Sequence, residues 1–272
     1  SSDLYADDNT NPAPTLSDYA AAGVTGVTAA NLADVNAAVD AVAAVDADTT
    51  SEVQALVDPI VAQDTALEII SAYTGDNTNP APTLADYTAA GVTGVTAANL
   101  ADVNAAVDAV AARGADTTVE VQALVDVSVA LGIIAAYADD NTNPAPTLSD
   151  YADAGVTGVT AANLADVNDA VDAVTGVFAD TPAEIQALVN PVIVVTALGV
   201  ISAYADDNTN PAPTLADYTD AGVTGVTAAN LADVNDAVDA VAALDADTTG
   251  EVQALVDVPV ALGIISAYAD DN

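Results

Sequence analysis

The chain repeats itself four times, and this repetition constrains the fold more than any other feature of the sequence. The segment GVTGVTAANLADVN recurs without change, and the string NTNPAPT precedes it each time. The longer segment starts at Gly23, Gly91, Gly155 and Gly222, so the spacings are 68, 64 and 67 residues. We predict four tandem units divided at recurring tyrosines: residues 1–72, 73–136, 137–203 and 204–272. Because the sequence opens and closes in the same phase of the repeat, we expect it to come from a longer array.

Each unit has the pattern of several helices joined by short turns. In the first unit, Thr15 is followed three residues later by an aspartate, which is the spacing of a capping box, and Gly23 is suited to ending the helix. Thr28 predicts the start of a second helix, and Thr49 the start of a third. The apolar stripe of the second helix is Leu32, Val35, Val39 and Val42. The predicted fold class is all-α: a tandem array of four small helical bundles, of three to four helices each, joined end to end.

The segment that follows Asp58 could be a strand or a helix on composition. The distance from the aspartate that precedes the third helix to the next joint tyrosine includes this segment. It is 25, 21, 24 and 21 residues in the four units. Insertions of four and three residues are each about one helical turn, whereas a strand gaining three residues would exchange its faces. We therefore predict a fourth helix or a kinked continuation of the third. The pairs Asp58-Pro59 and Asn190-Pro191 favour a separate start.

The charge of the chain excludes several classes of function. The sequence has 41 acidic residues and a single basic residue, Arg113, for a formal net charge of −40. Such a surface cannot neutralise phosphates, so we expect no nucleic-acid partner. There is no histidine, lysine or cysteine, so the usual general bases, thiolate metal ligands and disulfides are missing. We expect that the protein is not an enzyme.

One stretch is apolar enough to be compared with a membrane span. Residues 185–205 carry no charge over 21 residues, which is long enough to cross a bilayer. The equivalent region of the first unit contains Asp64 and Glu68, and Asn190 and Pro191 interrupt the stretch itself. Because near-copies of one repeat should share one environment, we predict a buried core segment and no membrane insertion.

The loop around each NTNPAPT string has the oxygen spacing of a calcium loop. Counted from Asp7, side chains with oxygen fall at positions 1, 3, 5, 9 and 12, as in an EF-hand. Two features depart from that pattern, since Pro12 replaces the usual glycine and Gly75 replaces the first aspartate of the second loop. A plain turn closed by a helix cap explains the same residues, so calcium and a capped turn both stay open. The candidate calcium ligands are Asp7, Asp8, Asn9, Asn11, Asp18, Asp76, Asn77, Asn79, Asp86, Asp139, Asp140, Asn141, Asn143, Asp150, Asp206, Asp207, Asn208, Asn210 and Asp217.

Tyrosines and asparagines recur at fixed places in every unit. The tyrosine pairs are Tyr5 with Tyr19, Tyr73 with Tyr87, Tyr137 with Tyr151, and Tyr204 with Tyr218. Each pair either packs one unit against the next or closes the core of its own unit. Asn31 and Asn36 fall where a helix is expected, although asparagine is a poor helix former. They either make a buried hydrogen bond to a loop or a neighbouring unit, or were copied with the repeat and have no such role.

The GVT turn followed by the helix ANLADVNAAVDAV resembles the small three-helix GA-type modules of bacterial surface proteins. The Ala/Val/Asp-rich units with NTNPAPT joints are similar to the tandem repeats of very large secreted adhesins of Gram-negative bacteria. The resemblance covers the whole chain and implies a secreted stalk that holds a binding domain away from the cell. The albumin-binding residues of GA modules cannot be placed on this sequence, and albumin binding is not carried over to it.

These features predict a structural function. We expect a stalk or spacer segment of an extracellular cell-surface adhesin, whose partners are adjacent repeats of the same chain. An acidic surface suits a salty or calcium-bearing external medium, with a halophile's cytoplasm as the competing interpretation. Two alternative functions stay open. One is a segment of an extracellular self-assembling filament or surface layer, with other copies packed laterally, and the other is a helical protein-binding module.

Overall fold

The structure, a computed structural model, is built from helices. It describes residues 12–75, 79–111, 114–206 and 209–270, with the backbone alone at 206 and 270, and contains no strand within these ranges. The predicted all-α class is therefore confirmed. The chain forms two compact units, Ser1–Val129 and Ala130–Asn272. The predicted Tyr5 and the predicted ligands Asp7, Asp8, Asn9, Asn11, Asp76, Asn77, Asp207 and Asn208 lie outside the described residues.

Three kinds of α-helix recur in the same order, numbered here α1 to α12 along the described chain. The six-residue helices are α1 (Leu16–Ala21), α4 (Leu84–Ala89), α7 (Leu148–Asp153) and α10 (Leu215–Asp220). The nine-residue helices are α2 (Leu32–Asp40), α5 (Leu100–Asp108), α8 (Leu164–Asp172) and α11 (Leu231–Asp239). The long helices are α3 (Thr50–Tyr73), α6 (Thr118–Asp139), α9 (Pro182–Asp206) and α12 (Thr249–Asp270). Short 3₁₀ helices, Ala44–Asp46, Gly176–Phe178 and Ala243–Asp245, precede α3, α9 and α12.

The first helix of the repeat begins and ends as its sequence predicts. The Thr15 amide donates a hydrogen bond to Asp18 Oδ2 at 2.8 Å, and this fixes the start of α1. At the other end, Gly23 adopts a φ of +76°, which residues other than glycine rarely adopt. The amide of Val24 then donates to the carbonyl of Tyr19 at 3.0 Å. This is the Schellman arrangement, in which two amides beyond the helix satisfy its last carbonyls.

The second helix starts later than predicted. Thr28 does not lie at the start of α2, because the helix begins at Leu32 with Asn31 as its N-cap. The Thr28 amide donates to Asn31 Oδ1 at 2.7 Å, and the Asn31 amide donates to Thr28 Oγ1 at 3.4 Å. The two residues form a reciprocal cap around a single turn, and α2 follows that turn.

The segment after Asp58 continues the long helix without a break. Pro59 lies inside α3, Pro191 inside α9 and Pro259 inside α12. The predicted continuation is confirmed and the predicted separate start is wrong, so the described part of each repeat has three α-helices. A proline removes only one of the many backbone hydrogen bonds in such a helix. In α3 and α9, buried apolar side chains lie on both sides of the proline and offset that loss: Val57 and Ile70 around Pro59, and Val189 and Ile201 around Pro191.

Four hydrophobic clusters form the interior, one in each repeat. The cluster of the second repeat holds Tyr87, Val103 and Val121 together with Ala66 and Ile70. Ala66 and Ile70 belong to the second half of α3, so this core contains side chains from two consecutive sequence repeats. The clusters of the third and fourth repeats use the second halves of α6 and α9 in the same way, through Ala130, Ile134 and Ala138, and through Ala197, Ile201 and Ala205. The cluster of the first repeat comprises Tyr19, Val24, Val35, Val39, Ala47 and Val57.

Three long helices meet the length and composition of a membrane span among the described residues: Thr118–Asp139, Pro182–Ala205 and Thr249–Ala269. All three nevertheless contribute to the clusters, the third through Val252 and Val256. In α9, Ile185, Val189 and Ile201 are 0% exposed. Val195 of the same helix is 68% exposed, so only part of the apolar surface of α9 lies in a core. The absence of membrane insertion stays a prediction.

Candidate functional site

A buried polar network ties each NTNPAPT loop to the helices behind it. In the second repeat, the Tyr87 hydroxyl donates to Asn104 Oδ1 at 2.7 Å, and Asn104 Nδ2 donates to the carbonyl of Pro82 at 3.0 Å. The same bonds join Tyr19, Asn36 and Pro14; Tyr151, Asn168 and Pro146; and Tyr218, Asn235 and Pro213. The hydrogen bond to a loop predicted for Asn36 is confirmed. Asparagine is used inside a helix here because its amide offers both an acceptor and a donor.

The tyrosine of this network keeps its proton. Burial raises the pKa of Tyr87, and the neighbouring Tyr73 and Asp86 raise it further. Burial also raises the pKa of Tyr151 and of Tyr218. Desolvation acts in this direction because it disfavours the charged phenolate. A raised pKa favours the protonated hydroxyl, which is the form that donates to the asparagine.

The joint tyrosines contact the same clusters from one side. Tyr73, Tyr137 and Tyr204 are partly buried and pack against the cores that contain Tyr87, Tyr151 and Tyr218. Tyr73 ends α3, so the two tyrosines of one pair come from a long helix and from the short helix that follows it. We predicted that these pairs pack one repeat against the next, and this stays a prediction. Such packing requires the joint tyrosine to contact the core of the following repeat, as it does here.

In the third loop, the candidate calcium ligands are all used in hydrogen bonds of the protein. Asp139 Oδ1 accepts from the amide of Gly176 at 2.7 Å, and Asp140 Oδ1 accepts from the amide of Thr142 at 3.0 Å. Asn141 donates to Asp172 Oδ2 at 3.0 Å, and Asn143 donates to the carbonyls of Ala136 and Asp140. Asp150 caps α7 through Thr147. The residues that a calcium loop would direct at one ion are directed here at separate partners.

The second and fourth loops follow the same plan where they are described. Asn79 and Asn210 donate to the carbonyls of Ala72 and Ala203, and Asp86 and Asp217 cap α4 and α10. In the described ranges, no three carboxylates gather where they could hold one metal ion. The described part of each of these loops ends in a helix cap, and calcium binding stays a prediction that a titration can test.

Sodium chloride should raise the melting temperature of the chain, because screening reduces repulsion within a net charge of −40. Calcium at equal ionic strength separates the two interpretations of the loops. A site selective for the folded state adds stability by mass action, whereas a capped turn does not. Magnesium should add less than calcium, because it requires tighter octahedral geometry.

The double variant Asp139→Asn/Asp140→Asn is the control for that titration. A calcium site in the third loop would lose part of its increment in melting temperature in this variant. The second loop has Gly75 in place of the first aspartate, so it should bind most weakly of the four. If sodium chloride reproduces the whole calcium effect, or the double variant keeps it, the calcium interpretation is wrong.

A glutamine clip, which the sequence interpretation missed, joins the GVTG turn to the long helix. Gln54 Oε1 accepts from the amide of Thr25 at 2.9 Å, and Gln54 Nε2 donates to the Thr25 carbonyl at 3.1 Å. The amide nitrogen also donates to Asp58 Oδ1 at 2.7 Å. The clip recurs as Gln122 with Thr93, Gln186 with Thr157 and Gln253 with Thr224. Its sequence signal is a glutamine two residues after the capping glutamate in every repeat.

Pairs of carboxylates meet at the start of the long helices. The Thr49 hydroxyl lowers the pKa of Glu52, and the neighbouring Glu52 raises the pKa of Asp48. The pKa values of Glu120, Glu184 and Glu251 are lowered in the same way, and those of Asp180 and Asp247 are raised. The stabilisation from a lowered glutamate is present above its unfolded pKa and disappears as the pH falls through its folded pKa. A raised aspartate acts in the opposite direction, so the two effects partly cancel.

The whole arrangement connects elements of one repeat and holds them in place. Its hydroxyl, amide and carboxylate groups form hydrogen bonds with the protein itself. The Tyr–Asn–Pro network joins a loop to a helix, the glutamine clip joins a turn to a helix, and the capping carboxylates bind the first turn of their helices. Searches of family models, curated proteins and solved structures find no match to this chain. The function therefore has to be inferred from the residues and their geometry.

Proposed function

We propose that the chain is a stalk or spacer segment of an extracellular, cell-surface adhesin, with no catalytic role. The observation that supports this best is the sharing of each inner long helix between two cores. In α3, Val57 packs in the first cluster and Ile70 in the second. In α9, Val189 packs in the third cluster and Ile201 in the fourth. Within each compact unit, the two cores are joined through a helix and not through a flexible linker, which is the property that a spacer needs.

The fixed internal ties support the same proposal. The Tyr–Asn–Pro network and the glutamine clip hold loops and turns onto the helices in all four repeats. A net charge of −40 disfavours collapse of the chain onto itself and onto other acidic surfaces. The secreted setting rests on the resemblance to adhesin repeats and on this charge.

Small-angle scattering in moderate salt tests the proposal. A compact globule of this length has a radius of gyration of about 18–19 Å. A stalk needs its repeats in line, and long helices of 22–25 residues, about 33–37 Å each, then give a length above roughly 100 Å and a radius of gyration of about 30 Å or more. A value near the compact one would overturn the stalk.

A filament or surface layer with lateral packing is the second candidate, and one feature favours it. Apolar side chains on the 3₁₀ helices are exposed: Val45 by 69%, Val177 by 66%, Phe178 by 62% and Leu244 by 79%. Exposed apolar groups at a repeating position can contact other copies side by side. Lateral packing would raise the cross-sectional radius of gyration with concentration in the same scattering data, whereas a lone stalk keeps it constant.

A further inference from the structure

The long helix α3 has one turn more than α6 between the two cores that it joins. In α3, Val61 is the last residue that packs against the first cluster, and Ala66 is the first that belongs to the second. In α6, Val129 packs against the second cluster, and its immediate neighbour Ala130 belongs to the third. Residues 62–65 of α3 therefore lie between two cores, and we call them the extra turn.

The sequence on either side of the extra turn matches that of α6. Val61 precedes the extra turn and ALEII follows it, whereas in α6 Val129 is followed directly by ALGII. Four residues are about one turn of an α-helix, so both helices keep similar faces toward their cores. The extra turn is thus an addition to a joint that α6 forms without it.

The extra turn has little support from apolar packing. Ala62 and Thr65 are exposed, and Gln63 and Asp64 are half-buried. None of these four described residues belongs to a cluster. Pro59, which removes one backbone hydrogen bond from the helix, lies just before the turn. A helical segment with few buried contacts opens or bends most easily, so an extra turn without other support would act as a hinge between the first two repeats.

Gln63 bonds to the second repeat. Its Nε2 donates to Oγ1 of Thr118, the first residue of α6, at 2.9 Å, and to the carbonyl of Ala90, the C-cap of α4, at 3.4 Å. Thr118 Oγ1 itself donates to the Ala90 carbonyl at 2.8 Å. That local bond recurs in the fourth repeat between Thr249 and Ala221. There the residue seven positions before the buried isoleucine, which is Gln63 in α3, is a valine. The second repeat therefore does not need the glutamine for its own structure, and the bonds of Gln63 join α3 to it.

Asp64 bonds to the first repeat. Its Oδ2 accepts a hydrogen bond from Nδ2 of Asn31, the N-cap of α2, at 2.9 Å. Asn31 is 3% exposed, and its Nδ2 also donates to the Gly26 carbonyl at 3.1 Å. Asn163 of the third repeat is buried to the same extent and donates to the Gly158 carbonyl at 2.9 Å. The turn carbonyl is the acceptor common to both asparagines, so the bond to Asp64 is an addition that joins α3 to the first repeat.

We propose that Gln63 and Asp64 are positioning residues that prevent the extra turn from acting as a hinge. They are neighbours in α3, and one bonds to the repeat that follows while the other bonds to the repeat that precedes. Both sets of bonds are partly buried, which strengthens them relative to bonds in open solvent. Bending at the turn has to break at least one of them. The two residues therefore hold the first and second repeats in a single relative orientation.

The equivalent joint of the second compact unit uses a different contact. In α9, residues 194–196 lie between Ile193, which packs against the third cluster, and Ala197, which belongs to the fourth. Their sequence is Val-Val-Thr. A hydrogen bond between these repeats runs from Ser202 Oγ to the Ala243 carbonyl at 3.2 Å. This joint is an internal control for variants in the extra turn. The proposal concerns the joint between two repeats and does not rest on the stalk function.

Spin labels measure the joint directly, because the chain has no cysteine of its own. Ala33→Cys and Ala101→Cys place one label on α2 and one at the same position of α5, and both positions are exposed. Double electron–electron resonance on the full chain then gives the distribution of distances between the first two repeats, which should be narrow. Gln63→Ala/Asp64→Ala should raise the ratio of bent to unbent joints by about five- to thirtyfold and broaden this distribution.

Conservative changes separate hydrogen bonding from helix stability. Asp64→Asn keeps an oxygen acceptor and should keep the narrow distribution, whereas Gln63→Glu loses the donor at similar size and should broaden it. Thr65→Ala/Glu68→Ala is the matched control, since it also removes two polar groups and one carboxylate from this stretch. Thr65 donates within α3 and Glu68 is exposed, so this variant should leave the distribution unchanged.

Labels at Ala165→Cys and Ala232→Cys report the joint between the third and fourth repeats, at exposed positions of α8 and α11. Their distribution should not respond to Gln63→Ala/Asp64→Ala. Far-UV circular dichroism should stay unchanged as well, since neither substituted residue belongs to a cluster. A broad distribution in the chain that keeps both residues, or no broadening in the double variant, overturns the proposal. Equal broadening in Thr65→Ala/Glu68→Ala, or at the joint of the third and fourth repeats, also overturns it.

Discussion

Replacing Ile201 by alanine should lower the free energy of unfolding by about 2–5 kcal/mol, the usual cost of truncating a buried isoleucine. Ile201 is 0% exposed in the fourth cluster. Ile265→Ala is the matched control, because it makes the same change at the same place in the repeat, where the side chain is 65% exposed. Its cost should stay within about 0.5 kcal/mol.

Urea denaturation followed by far-UV circular dichroism measures both variants. The comparison removes differences in helix propensity, since both isoleucines lie in a long helix with the same flanking pattern. Equal losses for the two variants would show that α12 is covered in solution, contrary to the structure. An unchanged midpoint for Ile201→Ala would show that the fourth cluster is not a packed core.

The second large effect is expected at the buried asparagine. Asn104→Ala removes the partner of both the Tyr87 hydroxyl and the Pro82 carbonyl. A buried polar group without a partner costs about 1–3 kcal/mol, so this variant should lose about 2–4 kcal/mol. Tyr87→Phe leaves only Asn104 Oδ1 without its donor and should lose about 1–3 kcal/mol.

A double-mutant cycle decides whether the two side chains act together. The combined variant Tyr87→Phe/Asn104→Ala should cost less than the sum of the single changes, since the same hydrogen bond is lost only once. Thermal melts and urea curves of the four proteins give the coupling. Strictly additive losses would mean that the bond between Tyr87 and Asn104 does not contribute to stability.

Local signals predicted the helix ends well. Thr49 with Glu52, and Gly23 after α1, act within a few residues of themselves, so their role can be recognised from spacing alone. A local signal gave the wrong prediction at Pro59. The pair Asp58-Pro59 is typical of a helix start, but it lies inside α3, which is stabilised by tertiary contacts. Thr28 was misplaced by one turn because Asn31 completes a cap before the helix begins.

The candidate site depended more on tertiary structure. The sequence left open whether Asn36 has a hydrogen-bond partner, and its partners, Tyr19 and the Pro14 carbonyl, are 17 and 22 residues away. Gln54 was missed because its bond to Thr25 spans 29 residues and resembles no known local motif. Spacing left calcium and a capped turn both open for the acidic loop, and it could not show that Asp139 accepts a hydrogen bond from Gly176, 37 residues later.

The sharing of long helices also determines the order in which the chain can fold as it is synthesised. The core of the third repeat cannot close until the first half of α9, with Ile185 and Val189, has left the ribosome. At that point the second half of α9, with Ile201, has no core to enter until α10 and α11 follow. A growing array therefore always ends in one uncovered helix, and each new repeat folds against a surface that the previous one has already formed.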